Sequence, residues 1–165
     1  MTSLESESVK KIIFSDIVSK IESNVGLSRF STIRAKFEGW LKVELCETLS
    51  RHYKNVLPEQ GRIDITFNNW GIELKTVNTN YRYPNVKNLH RPITINVEGV
   101  ISDIEKLKQS KFLHKAILLV VFPVSEENFD WKYHLDKIKK RLESLEEKPF
   151  NFKEGVPGIL YFGII

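Results

Sequence analysis

A chain of 165 residues, 41% apolar and 28% charged, suits one domain spanning residues 1–165 with a sizeable core. Its net charge of +4 permits a polyanionic partner without demanding one. The single cysteine, Cys46, excludes an intrachain disulfide framework and fits a reducing cytoplasm. The longest apolar run, AILLVVFPV, is far too short to span a bilayer, and MTSLESESVKK lacks the basic-then-apolar order of a signal peptide. A cytoplasmic domain with no membrane partner is expected.

Residues 8–26 read as an N-terminal helical extension: Val9, Ile12, Ile13, Ile17, Ile21 and Val25 recur at helical spacing, and Gly26 ends the run. A second helix fits residues 31–53, with a stripe of Phe37, Leu41, Leu45 and Leu49 and Ser31 as its N-cap. A short strand at Val56 and Leu57 precedes GRIDITFNNWGIELKTV, residues 61–77, whose alternation predicts two strands joined by a turn. Residues 78–92 have no periodicity and read as a loop, and ITINV, 93–97, suits either a strand or a helix. VEGVISDIEKLKQS predicts a helix, and KAILLVVFPV a strand buried on both faces. DWKYHLDKIKKRLESL predicts a helix capped by Asp130, and GILYFGII a closing strand. The expected class is α/β (α+β): a central mixed sheet flanked by helices, with the core in residues 31–165.

The hairpin contains a conflict. Ile63, Ile65 and Phe67 share one face with Ile72 and Leu74, and keeping them together restricts the register. A two-residue turn at Asn68-Asn69 satisfies that restriction, because asparagine tolerates positive φ. It pairs Ile65 with Ile72 and sets Asp64 beside Glu73, although like charges directly opposed destabilise a sheet. Two readings offset the repulsion. Arg62 and Lys75, on the same face, form a solvated checkerboard with the acids, or the two carboxylates make a half-shell for a hard divalent cation. In the second reading Lys75 reaches a metal-bound water or a phosphate.

At these residues the chain resembles the PD-(D/E)xK nuclease superfamily, the restriction-endonuclease-like fold. Its pattern is an acid on one strand and acid-any-lysine on the next, matched by Asp64 in GRIDITF and by Glu73-Leu74-Lys75 in GIELKTV; Ile63 stands where the family name has proline. The family's order of helix, three antiparallel strands, helix and strand fits residues 31–122, so the resemblance covers most of the chain. It implies a Mg²⁺-dependent endodeoxyribonuclease, with Mn²⁺ as a substitute ion, that hydrolyses DNA and leaves a 5′-phosphate. Asp64 and Glu73 would bind the ion, and Lys75 would orient the attacking water or neutralise the phosphate. Many members carry a further glutamate on the preceding helix. Glu38 and Glu44 flank the apolar stripe about 60° to either side, so geometry does not choose between them; the WLKVEL context favours Glu44 by likeness to the family's helix acid. The competing expectation is a non-catalytic nucleic-acid-binding or scaffold module on the same fold.

From Lys75 to Val97 there is no Asp or Glu, while Tyr81, Arg82, Tyr83, Lys87, His90 and Arg91 all fall there. Such a loop beside a carboxylate pair suits phosphate-backbone contact, and Arg62 joins Tyr81, Arg82, Lys87 and Arg91 as a candidate nucleic-acid contact. The lysines at 106, 108 and 111 and the run KIKKR read as solvated faces. Four histidines without ligand spacing give no zinc pattern, and no GxxxxGK[ST], GxGxxG or GxSxG occurs. A symmetric homodimer is the simplest way for such a core to cut two strands, with the N-terminal helix a candidate interface.

Overall fold

The computed structural model describes residues 2–89 and 92–165. The N-terminal helix, α1 (Thr2–Ser23), begins before the predicted residue 8 and buries Val9, Ile13, Ile17 and Ile21. Asn24 ends it and caps a second helix: its Oδ1 accepts the Leu27 N–H at 2.9 Å, opening α2 (Val25–Thr32). Arg34, at φ 58°, then takes a left-handed conformation that no helix can continue through. The predicted helix over 31–53 is therefore split, and α3 is confined to Glu38–Ser50, with Leu41, Leu45 and Leu49 buried as the stripe requires.

Among the described residues the strands are β1 (Leu57–Gln60), β2 (Ile63–Phe67), β3 (Trp70–Asn78), β4 (His114–Phe122), β5 (Ser144–Asn151) and β6 (Pro157–Ile164). They form one mixed sheet in the order β1-β2-β3-β4-β6-β5. Only β3 and β4 run parallel, joined by the crossover helix α4 (Ile93–Lys108). ITINV belongs to that helix: Ile93 and Val97 continue the buried row Val100, Ile104 and Leu107, so packing overrides β-branched propensity. The fifth helix, α5 (Phe129–Lys139), stops short of the predicted Leu145, which lies on β5.

The sheet has two apolar faces. One packs Ile65, Phe67, Ile72, Leu74, Leu118, Val120 and Phe162 beneath α1, α2 and α3. The other packs Val77, Ile117, Leu119, Val121, Ile159 and Tyr161 beneath α4 and α5. Alternation along β2 and β3 therefore turns Asp64, Glu73 and Lys75 toward the α4 side. Among the described residues, no helix is long and apolar enough to cross a membrane.

Candidate functional site

The hairpin has the expected register: Ile65 pairs with Ile72, Thr66 with Gly71 and Phe67 with Trp70 across the Asn68-Asn69 turn. Asn68 takes φ 47°, the positive value such a turn needs. The ladder ends at Ile65 and Ile72, one step short of the two acids. There the Asp64 side chain caps the edge of β3, its Oδ2 accepting the Leu74 N–H at 2.9 Å. Two residues on, Glu38 Oε1 accepts the Thr76 N–H at 3.0 Å.

The Asp64 and Glu73 carboxyls lie close enough to perturb each other's ionisation. Glu73 is only 4% exposed; burial, then the hydrogen bond and charge of Asp64, push its pKa up to about 8. Asp64 moves the other way: burial opposes ionisation, but hydrogen bonds from Glu73, the Leu74 N–H and Lys42 hold it below the usual carboxylate range. Burial and the neighbouring Asp64 thus favour the protonated form of Glu73 and the ionised form of Asp64. Glu73 Oε1 is buried and lies 3.2 Å from Lys106 Nζ, a charge contact that lacks the alignment of a hydrogen bond.

Cations enclose the acids. Lys42, from α3, lies 2.8 Å from Asp64 Oδ1 and also pairs with Glu59; burial works against its charge, but the two carboxylates hold its pKa above the usual lysine value. Lys75 extends across Gly99 of α4 to Asp103, Nζ to Oδ2 2.7 Å. A β-carbon at Gly99 would stand 3.3 Å from that Nζ, so the glycine leaves the lysine its path. Gly99, Asp103, Lys106 and Lys42 are neighbours that hairpin periodicity alone does not reveal.

The other predicted residues are placed as follows. Glu44 does not join the pair: its Oε2 lies 2.7 Å from Lys20 Nζ, bracing α3 against α1, and Glu38 is the α3 acid that reaches β3. The basic loop is pinned rather than free. Arg34, 3% exposed, donates to the carbonyls of Thr79, Tyr81 and Lys87. Tyr83 donates to Asn128 Oδ1 at 2.5 Å. The Tyr81 hydroxyl is buried with no partner among the described residues, and burial, then the nearby Asp130 charge, push its pKa up to about 12. Arg82 and Lys87 remain exposed, as does Arg62 in the β1–β2 turn. Arg91 and His90 lie outside the described residues.

Among the described residues, no group of three or more His, Cys, Asp or Glu side chains is arranged to hold a metal ion. The Asp64–Glu73 pair offers two hard carboxyl groups and one buried oxygen without an aligned hydrogen bond. That donor set suits a half-shell for an ion that keeps several waters. Comparison with known proteins gives no significant match to a family model, a curated protein or a solved structure.

Proposed function

We propose that the chain is a Mg²⁺-dependent nuclease that hydrolyses DNA phosphodiesters on a restriction-endonuclease-like core. The observation that carries this reading is the placing of two carboxyls, Asp64 on the Leu74 N–H and the buried Glu73 beside it, at the end of the hairpin ladder, two residues before an ammonium group. A buried pair of acids that retains a proton is a place where a cation can replace it. Lys75 in the acid-any-lysine pattern, and the helix-hairpin-helix-strand order, support the same reading.

Asp64 and Glu73 would hold the ion, and Mn²⁺ would fit the same oxygens. When bound, the ion supplies Lewis-acid polarisation of the phosphate and a more acidic water. Asp64 is held in place by the Leu74 N–H and Lys42. Glu73 would bind the ion as a carboxylate, with any proton it carries passing to solvent. Lys75, oriented by Asp103, places its ammonium where negative charge grows on the phosphate. Asp103 is thus a positioning residue, and Glu38 keeps the β3 edge in register through Thr76.

The second reading is a non-catalytic nucleic-acid-binding or scaffold module. It is favoured by the ion pairs Lys42–Asp64, Lys106–Glu73 and Lys75–Asp103, which satisfy the charges without any ligand. Digestion of linear, circular, branched and single-stranded DNA with and without Mg²⁺ or Mn²⁺ separates the two, with Asp64→Ala as control. The nuclease reading requires metal-dependent cleavage that the variant loses. DNA retention without cleavage at any metal concentration leaves the module.

A further inference from the structure

The exposed side of α5 carries two large rings that the core does not use. Phe129 is 79% exposed and Tyr133 is 65% exposed, one helical turn apart. Each is attended by a lysine: Lys132 Nζ lies 5.0 Å from the Phe129 ring centre, and Lys137 Nζ lies 4.5 Å from that of Tyr133. The inner side of the same helix is committed to packing, with Trp131 and Ile138 buried. Residues 129–141 hold five cations, Lys132, Lys137, Lys139, Lys140 and Arg141, against two acids, Asp130 and Asp136.

The helix leads into a second basic feature. A pocket of about 320 Å³ is lined by Lys108, Lys115, Lys140 and Arg141 together with Leu142, Glu143 and Ile165. Lys108 and Arg141 both turn to one acid, Glu105, at 3.3 Å and 3.1 Å. Lys115 is held by a carbonyl, that of Lys108 at 2.6 Å, rather than by a carboxylate. Among the described residues, Lys132, Lys137 and Lys140 form no ion pair. Positive charge therefore exceeds the local acids in the pocket, and the two exposed rings lie along the helix leading to it.

We infer that the outer face of α5 and the adjoining basic pocket form a docking surface for single-stranded nucleic acid. Two bases stack on Phe129 and Tyr133, and the backbone phosphates run along Lys137 and Lys140 into the pocket. Base stacking on rings tolerates any sequence, and lysines draped over those rings can shift to adjacent phosphates without burying a new charge. The inference rests on the nucleic-acid reading above and adds to it: this surface, rather than the pinned 79–89 loop, selects an unpaired strand.

The test is fluorescence anisotropy of a labelled oligothymidylate and of a duplex of equal length, in EDTA, so that binding is read without cleavage. The wild type is expected to bind the single strand more tightly. Phe129→Ala with Tyr133→Ala should weaken it by about tenfold or more. Lys137→Glu with Lys140→Glu should weaken it and flatten its salt dependence. Lys11→Glu with Lys148→Glu, an equal change of charge on the α1 side, should leave affinity within about twofold. All six positions are partly or fully exposed, and melting curves check that each variant folds. Affinity indifferent to the α5 changes, equally lost in the α1-side control, or absent in the wild type overturns the surface. Binding that depends on α5, in a protein that never cleaves, supports the surface and removes only the nuclease.

Discussion

Replacing Glu73 with glutamine tests whether the acid pair stores a proton. The ordinary glutamate value is 4.5, and in the folded chain burial and Asp64 push Glu73 up to about 8. Between those values the folded state binds one proton more than the unfolded state, so stability falls as pH rises, by at most ~1.4 kcal/mol per pH unit. Asp64 acts below that window: its folded value lies under 3.8, so its contribution is present above 3.8 and is lost as pH falls through the folded value. His134 adds a slope of opposite sign, since burial, then Lys137, lowers it from 6.5 and its protonation destabilises the fold. The readout is therefore the difference between Glu73→Gln and wild type, in which His134 cancels. Glutamine keeps the shape of the side chain, and its amide can donate to Asp64 as the protonated carboxyl does. Urea unfolding followed by fluorescence of the buried Trp70 and Trp131 should give similar stabilities near pH ~5. The variant should then gain steadily on the wild type up to pH ~8. Parallel curves across that range would refute the stored proton.

Three further changes probe the rest of the account. Lys75→Ala should keep DNA binding but lose metal-dependent cleavage, and unchanged cleavage would remove this lysine from the mechanism. Arg34→Met strips the donors from the Thr79, Tyr81 and Lys87 carbonyls; at about 1 kcal/mol per hydrogen bond it should cost ~3 kcal/mol in urea unfolding. It should also open residues 79–87 to limited proteolysis, and an unchanged midpoint with a protected loop would contradict the clamp. Gly158→Ala would set a β-carbon 2.5 Å from Cζ of the buried Phe150 ring, and overpacking of this kind costs about 1–3 kcal/mol. A melting temperature equal to the wild type would show that β5 yields more readily than its packing indicates.

The central sheet was legible where apolar and charged side chains alternate along the strands. Alternation in residues 61–77 sufficed to pair Ile65 with Ile72, because a slip of one residue would turn that apolar set onto the face that carries Asp64, Glu73 and Lys75. The same logic missed β5, whose SLEEKPFN is mostly exposed on both faces at the sheet edge and carries no alternation to read. Helix boundaries failed where a single backbone conformation decided them, as at Arg34. In the candidate site, Asp64, Glu73 and Lys75 could be placed from strand phase alone. Their partners could not: Lys42, Asp103 and Lys106 come from helices distant in sequence. Glu44 and Glu38 sat symmetrically about the stripe, and only the packing of α1, which brings Lys20 to Glu44, separates them. The loop looked free because its anchor, the buried Arg34 side chain, lies 45 residues before Thr79.

The most direct measurement is calorimetric titration of Mg²⁺ and of Mn²⁺ into the protein near pH ~7 in two buffers of different ionisation enthalpy, which counts the protons released. If the cation takes the place of the proton between Asp64 and Glu73, binding releases close to one proton per ion in the wild type, and Glu73→Gln releases none. Binding without proton release, or no binding at all, would contradict the claim.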